Sequence, residues 1–294
     1  MPGRIRKSRF RYWLLLTASL LLTLSSCDDS FQPLQENDTV PLSIYGYLDA
    51  SADTQWVRVT PIRDQVNQPP VKPEMQVTLE HLETGIITVM NDSLFLFDDG
   101  FHILNSWSLK TIEPGQTYRI KAVRPDGAAS QAQITIPGDF PAPILLDRDG
   151  CKALMRIEGL EKLADVQSQW HVRILFSGIG GTIYEREGFY FIPHRDKAER
   201  VADGAYTVQI DTREELAQIR NEILVPPGTS IIIQVLSRQL YVASGGPEWN
   251  EEITSLSDIA FARFDLLSNV ENGLGFILGI VSKSIPYIPV PRCF

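Results

Sequence analysis

Short stretches in which apolar and polar side chains alternate dominate the first half of the chain. In the stretch WVRVT, Val57 and Val59 fall on one face of an extended strand, and Trp56 and Arg58 fall on the other. Seven or eight such stretches recur about ten residues apart, separated by turn sequences and without helical spacing between them. This pattern predicts that residues 40–138 form an antiparallel β-sandwich.

The Pro-rich segment GDFPAP, residues 138–143, predicts a domain boundary, and the pattern after it is again mainly β. Strands are predicted at 151–158, 169–177, 182–192, 205–210, 230–237 and 269–281. The stretch SIIIQVLS has no polar face except Gln234, which predicts a fully buried strand. Residues 139–294 are therefore predicted to form a second β-rich domain with one or two short helices.

The clearest predicted helix covers Arg213–Ile223, where apolar side chains recur every three or four residues. Thr212 and Glu215 have the spacing of a capping box, in which both side chains bond to free backbone N–H groups at the start of a helix. Two further segments, 238–244 and 253–261, are too short to assign and fit helical turns.

The N-terminus has the layout of a secretory signal peptide. Five Lys and Arg residues lie within its first eleven positions, and the apolar run Trp13–Leu24 follows them. As a helix, that run would reach about 18 Å, well short of the roughly 30 Å of hydrocarbon in a bilayer. The segment therefore predicts export and not a membrane-spanning anchor.

The signal ends in Leu-Ser-Ser-Cys, which resembles the lipobox of bacterial lipoproteins. The resemblance implies that residues 1–26 are removed and that Cys27 is lipidated. Residues 31–39 are polar, contain a proline and show no periodicity, which predicts that 27–39 form a short tether. Two or more acyl chains hold a protein stably on a membrane, whereas a single chain holds it only marginally. The alternative is an ordinary signal peptide whose cleavage site happens to lie beside a cysteine.

Two acidic residues, Asp28 and Asp29, directly follow Cys27. They resemble the signal that sends Bacteroidota lipoproteins to the outer cell surface, although in enterobacterial lipoproteins an acidic residue there often means retention in the inner membrane. The expected location is the outer membrane, lipid-anchored and facing the cell surface, with the periplasmic face as the alternative.

The net charge of the chain without its signal segment excludes one class of partner. Without residues 1–26, 22 Lys and Arg face 36 Asp and Glu, a net charge of −14. Such a surface repels phosphates and excludes nucleic acid as a partner.

Cys151 and Cys293 remain besides Cys27, and in an oxidising compartment they are a candidate disulfide. Two buried free thiols are the alternative.

Two motifs carry a family resemblance. The stretch PGQTYRIKAV, followed by Asp-Gly and Ile-Pro, resembles the closing hairpin of transthyretin-like and carboxypeptidase-regulatory-like domains, which implies an Ig-like or transthyretin-like sandwich. Together with the lipobox and SNVENGLGF at 268–276, it resembles the Bacteroidota lipoprotein family called domain of unknown function 4249, over about Val40 to Ser282. That resemblance implies an outer-membrane or surface lipoprotein without established enzymatic activity, often encoded beside TonB-dependent receptors.

No motif for catalysis, cofactor binding or metal binding stands out. The four histidines are too far apart for metal spacing, and they are His81, His102, His171 and His194. The stretch Asp98–Gly100 with His102 fits a calcium or acid–base site, but Asp-Gly is foremost a turn signal. Glu185 and Glu187 lie on the same face of a predicted strand, and two carboxylates in this arrangement usually point into solvent. We therefore predict no catalytic, cofactor or metal site.

Aromatic side chains cluster at Phe189, Tyr190 and Phe191 and recur at Tyr241 and Trp249. Exposed aromatic side chains stack on sugars or line protein contacts, but packing in the core is their commoner use. Both interpretations stay open at this point.

The leading hypothesis is a non-enzymatic, lipid-anchored envelope protein. The resemblance implies accessory binding or assembly beside an outer-membrane TonB-dependent transporter. The first alternative is an envelope hydrolase whose site in the C-terminal domain uses Glu185, Glu187 or His194. The second alternative is a purely structural or adhesive spacer at the cell surface.

Overall fold

The computed structural model describes residues 41–61, 74–96, 102–177, 183–223, 229–250 and 268–287. These residues form a mainly β protein, which confirms the predicted fold class, and all of them belong to one compact unit. The predicted signal peptide 1–26, the tether 27–39 and the ambiguous segment 253–261 lie outside the described residues.

The described residues form seventeen strands, numbered here in chain order. They are β1 Leu42–Asp49, β2 Gln55–Pro61, β3 Gln76–His81, β4 Ile86–Val89, β5 Asn91–Leu96, β6 His102–Ser108, β7 Thr117–Val123, β8 Ala129–Thr135, β9 Ile144–Asp149, β10 Lys152–Ile157, β11 Lys162–Ser177, β12 Ile183–Pro193, β13 Ala198–Ala202, β14 Ala205–Asp211, β15 Ile231–Gly245, β16 Val270–Glu271 and β17 Gly273–Pro286.

The strands assemble into three sheets. Sheet A has eight strands in the order β12-β11-β15-β17-β1-β2-β6-β5. Sheet B has five, in the order β16-β8-β7-β3-β4, and sheet C has four, in the order β13-β14-β10-β9. Among the strands of the described ranges, neighbours are antiparallel with one exception, the pair β1 and β17, which is parallel.

The parallel pair joins the two ends of the folded chain. Its register runs from Leu42 opposite Gly273 to Asp49 opposite Ile280. Where β1 ends, the Ser51 hydroxyl donates to the Ser282 carbonyl at 2.6 Å and continues the link. The boundary expected between 138 and 139 therefore divides the sequence but not sheet A, in which strands from both sides of it lie next to each other.

One hydrophobic core connects all three sheets. Ile44 and Val59 of sheet A, Ile120 and Ile134 of sheet B, and Met155 of sheet C belong to the same cluster, and each is almost completely buried. Sheets B and C therefore both pack on sheet A, which is the sandwich arrangement expected when each sheet has one apolar face. The predicted alternation in β2 is confirmed, because Val57 and Val59 are buried and Trp56 is exposed.

The predicted helix is present as α1, Thr212–Glu222. It packs Leu216 and Ile219 against Trp170 and Val172 of β11 and so covers one face of sheet A near its β12 edge. A short 3-10 turn, Arg195–Lys197, follows β12. Within the described ranges, no helix combines the length and apolar composition needed to span a membrane.

Strand β15 corrects two expectations. The stretch 230–237, predicted to be fully buried, is half exposed, with Ile232 61% accessible. The reason is that α1 covers only one face of this part of the sheet, so alternate side chains face outward. The stretch 238–244 is not a helical turn but the continuation of the same strand, and it buries Leu240 and Val242 in the core.

The motif SNVENGLGF connects sheet B to sheet A. β16 pairs with β8, Asn272 turns the chain with φ of 50°, and β17 then pairs with β1. The Asn269 side chain donates to the Ile277 carbonyl at 2.7 Å and accepts from the Ile277 N–H at 2.9 Å. It therefore forms the same pair of hydrogen bonds with the β17 backbone that a residue of a neighbouring strand would form. The motif therefore fixes the register in which the last strand enters the sheet.

Two glycines allow the backbones to approach closely at this junction. A Cβ atom on Gly275, whose φ is +122°, would lie 2.0 Å from the carbonyl oxygen of Ile44 in β1. A Cβ atom on Gly279 would lie 2.4 Å from the carbonyl oxygen of Thr135 at the end of β8. Only glycine fits at either position.

The close approach at Gly275 predicts a large effect of Gly275→Ala. Because the new methyl group would overlap the Ile44 carbonyl, we expect the free energy of unfolding to fall by about 1–3 kcal/mol more than in Gly127→Ala. Gly127 is the matched control, since its φ is also positive at +87° but no atom lies within 4 Å of its Cβ position. Urea unfolding measures both variants, and equal losses would contradict the crowded junction.

Candidate functional site

Of the three cysteines, only Cys151 lies within the described residues. It occupies the turn between β9 and β10 and is disulfide-bonded. Its carbonyl accepts a hydrogen bond from the Thr212 N–H at 3.0 Å. Cys27 and Cys293 lie outside the described residues, so the lipidation of Cys27 and the pairing of Cys151 with Cys293 stay predictions. The stretch Asp98–Gly100 also lies outside.

The last described residue, Tyr287, lies near the strand that leads into Cys151. The guanidinium of Arg148 in β9 is 5.3 Å from the centre of the Tyr287 ring. Cys293 follows six residues later. A fully extended segment of that length spans at most about 20 Å, so the chain is long enough to bring Cys293 to this hairpin.

Glu185 and Glu187, the carboxylates of the hydrolase alternative, lie on β12 in an ion-pair ladder. Arg173 contacts Glu185 at 2.8 Å and Glu187 at 3.0 Å, and the His171 Nε2 lies 3.1 Å from Glu187. Hydrogen bonds from Arg173 and then from His171 hold the pKa of Glu187 below its ordinary value. A general acid needs the opposite shift, so this ladder is suited to charge neutralisation on a solvated surface.

His194 lies apart from these carboxylates. It follows β12 seven residues after Glu187, a separation of roughly 23 Å along an extended strand. Its ring is 1% exposed, and its Nε2 lies 2.8 Å from the Glu215 carboxylate and 3.0 Å from the Ser168 hydroxyl. The structure therefore does not bring the three residues of the hydrolase alternative together.

The contacts of His194 differ from those of a nucleophilic triad. A triad places the serine on one ring nitrogen and the carboxylate on the other. Here Ser168 and Glu215 both contact Nε2, and Nδ1 is buried without a partner in the described part of the chain. Because a carboxylate only accepts, Nε2 carries the hydrogen and Ser168 cannot pass its proton to it.

Glu215 also binds Arg238 of β15 in the interior of the protein. Arg238 donates to Glu215 through Nη2 and to the Thr212 hydroxyl through Nη1 at 3.1 Å. Its guanidinium lies 4.4 Å from the ring centre of Trp170 and 4.2 Å from that of Tyr287. Burial lowers the pKa of Arg238, and the carboxylate of Glu215 opposes that shift. We call these buried residues the Arg238 cluster, and its members are Arg238, Glu215, Thr212, His194, Ser168, Trp170 and Tyr287.

The Arg238 cluster corrects the predicted capping box. The helix is capped by Asp211, whose carboxylate accepts from the Arg213 N–H at 2.9 Å. Thr212 and Glu215 have the predicted spacing but turn inward to the buried Arg238. A buried guanidinium needs acceptors more than an exposed helix end does, because water can satisfy the helix end.

The opposite face of β11, β12 and β15 is a mixed surface, on which exposed apolar side chains lie among ion-paired and polar ones. We call it the outer face, and its side chains are Gln169, His171, Arg173 and Leu175 of β11, Ile183, Glu185, Glu187, Phe189 and Phe191 of β12, and Ile232 and Gln234 of β15. Phe189 is 68% exposed and stacks on His171 with ring centres 4.3 Å apart, and Phe191 is 57% exposed. The two phenylalanines are therefore available for contact, whereas Trp249 is 2% exposed and packs in a core cluster.

A polar cleft lies where sheet C meets the start of β11. Its volume is about 590 Å³, within the usual range of ligand-binding clefts. Its lining residues are Glu161, Lys162, Leu163, Arg195, Asp196, Ala198, Arg200, Tyr206 and Trp249. Of these, the sequence pattern singled out only Trp249, because isolated charged residues become a cluster only when the strands are placed. We call it the Arg195 cleft.

Within the described ranges, no group of three or more His, Cys, Asp or Glu side chains is placed to hold a metal ion. No family model matches the sequence, and no curated protein has a significantly similar sequence. The resemblance to the domain of unknown function 4249 family therefore stays a prediction.

Among solved structures, two of a bacterial pullulanase show weak similarity. Pullulanase from Anoxybacillus sp. LM18-11 is 13% identical over 69% of this chain and 24% of its own, with a TM-score of 0.23. The same enzyme complexed with maltotriose is 13% identical over 57% of this chain and 22% of its own, with a TM-score of 0.22. The chain thus spans about a quarter of the pullulanase length, and likenesses this low carry no argument about function.

The buried ion pair predicts unequal effects for two adjacent glutamates of α1. Glu215→Gln leaves the Arg238 charge buried without a counter-charge, so we expect the free energy of unfolding to fall by about 3–5 kcal/mol. Glu214→Gln removes an exposed pair with Lys197 and is expected to cost less than about 1 kcal/mol. Urea unfolding monitored by circular dichroism compares them, and similar costs would show that the buried pair does not stabilise the fold.

Proposed function

We propose that this chain is a non-enzymatic, lipid-anchored envelope protein that binds a partner through its outer face. The partner we propose is an outer-membrane TonB-dependent transporter. The lipobox-like end of the signal segment and the family resemblance support the location and the class of partner. The observation that carries the binding role is the outer face, where Ile183, Phe189, Phe191 and Ile232 are all more than half exposed.

The spacing between anchor and body supports work at a membrane surface. Thirteen residues lie between Cys27 and Pro41, the first described residue, so fourteen residue-to-residue steps join the two. At about 3.3–3.6 Å per residue, they span at most about 50 Å when extended. A body on such a tether samples a shell close to the bilayer, which raises its effective concentration near an integral membrane partner.

The composition of the outer face supports docking to a protein. Ladders that neutralise charge, such as Arg173 with Glu185 and Glu187, flank exposed phenylalanines. Aromatic side chains surrounded by satisfied polar groups are the usual anchors of protein interfaces. The hydrolase alternative is disfavoured, because its proposed residues are ion-paired on a strand or buried away from that strand.

The proposed anchor predicts the state of all three cysteines. Peptide mass mapping of the native protein without reductant should find Cys27 carrying lipid and Cys151 joined to Cys293. A bridge between residues 151 and 293 closes a loop of 142 residues and stabilises by about 5 kcal/mol in the chain-entropy model. Since Cys151 is already paired, a bridge from Cys151 to Cys27 would exclude the lipid anchor and contradict the proposal.

The docking proposal predicts which surface change releases the partner. Affinity purification of the native protein from solubilised outer membranes should recover a TonB-dependent β-barrel identified by mass spectrometry. Phe189→Ser with Phe191→Ser should abolish this recovery, because two exposed anchors are lost.

The matched control is Ile86→Ser with Ile87→Ser, which removes two exposed apolar side chains from β4 of sheet B. This control should recover as much β-barrel as the unmodified protein. Equal recovery with the phenylalanine variant, or no β-barrel in any sample, would refute the docking proposal.

A further inference from the structure

Two cations in the Arg195 cleft have no carboxylate partner within the described chain. The Arg195 Nε donates to the Leu163 carbonyl at 3.3 Å, and its other N–H donors have no protein partner there. The Lys162 ammonium donates to the carbonyls of Pro247 and Trp249 at 2.7 and 2.8 Å. Carbonyl oxygens satisfy hydrogen bonds but do not cancel charge. Both side chains therefore lack a direct ion-pair partner in the described chain and have N–H donors left over at the cleft.

Trp249 holds Arg195 in place. The Arg195 guanidinium lies 5.6 Å from the centre of the Trp249 ring, within the range of a cation–π contact. The indole N–H of Trp249 is itself buried without a partner in the described part of the chain. A guanidinium that is fixed on an aromatic ring, with its fork free, is preorganised for bidentate binding of an oxyanion.

The cleft also offers acceptors. Glu161 and Asp196 line it, and Glu161 uses one oxygen to accept from the Gly138 N–H at 2.9 Å. The other carboxylate oxygens can accept from hydroxyl or ammonium groups. Arg200, the third cation of the lining, is already paired with Asp203 at 2.5 Å. The free groups are thus two cations and two carboxylates facing the same space.

We infer that the Arg195 cleft binds a small carboxylate that carries hydrogen-bond donors beside its acid group, such as a hydroxy acid or an amino acid. The carboxylate of the ligand accepts from the Arg195 fork and from the remaining N–H of Lys162. The ligand's hydroxyl or ammonium groups donate to Glu161 and Asp196. This site is separate from the outer face, and the inference does not depend on the proposed partner.

Saturation-transfer difference NMR on the mature protein tests this inference with three probes. D-gluconate is a hydroxy acid, L-serine is an amino acid, and sorbitol has the hydroxyls of gluconate without its carboxylate. We expect saturable binding of gluconate, serine or both, and no binding of sorbitol. Binding of gluconate alone identifies the hydroxy-acid class, and binding of serine alone identifies the amino-acid class.

Single-residue variants test whether the probe binds in the Arg195 cleft. Arg195→Gln should raise the dissociation constant of the bound probe about tenfold or more, because a charge-assisted bidentate contact is lost. Arg195→Lys keeps the charge without the fork and should give a smaller increase. Arg124→Gln is the control, since Arg124 is an exposed arginine paired with Asp126 in the hairpin between β7 and β8. It should leave the dissociation constant unchanged.

Three results would overturn the inference. The first is no saturable binding of either carboxylate to the unmodified protein. The second is binding of sorbitol with the same dissociation constant as gluconate. The third is an unchanged dissociation constant in Arg195→Gln when its amide spectrum shows a native fold.

Discussion

The parallel pairing of the first and last described strands is the constraint on which the rest of the structure depends. β1 lies in the middle of sheet A only because β17 returns to it, and β17 in turn carries β15, β11 and β12. The contact needs backbones without side chains between them, which Gly275 provides against β1 and Gly279 provides against β8. Sheets B and C then share one hydrophobic core on this sheet, and strands from both halves of the sequence contribute to it.

The Arg238 cluster holds together the part of sheet A that lies towards its β12 edge. Arg238 and Glu215 join β15 to α1 in an interior where breaking the pair would leave a charge unbalanced. Glu215 also holds His194, and Arg195, the next residue, begins the 3-10 turn that lines the cleft. The buried residues of the Arg238 cluster thus lie between the outer face and the cation that faces the cleft, and they hold β15, α1 and the turn after β12 together.

Local sequence patterns predicted the secondary-structure elements well. The features that they missed depend on pairing between residues far apart in the sequence. Alternation in β2 and helical spacing in α1 were confirmed because each depends on neighbours a few residues away. The parallel partner of β1 lies more than two hundred residues away, and no local signal reports it. Thr212 and Glu215 had the spacing of a capping box, but their side chains accept hydrogen bonds from Arg238, which lies on β15. Lys162 and Arg195 became a candidate site only once the fold had brought them together.

Hydrogen exchange followed by mass spectrometry, on the mature protein in increasing urea below its unfolding midpoint, tests the shared sheet most directly. If β1 and β17 join the halves, peptides from β7, β11 and β17 should open with the same free energy and the same urea dependence, as one cooperative unit. Peptides covering residues 76–135 that open at a clearly different free energy from those covering 162–245 would contradict the account, because they would show two domains that unfold separately.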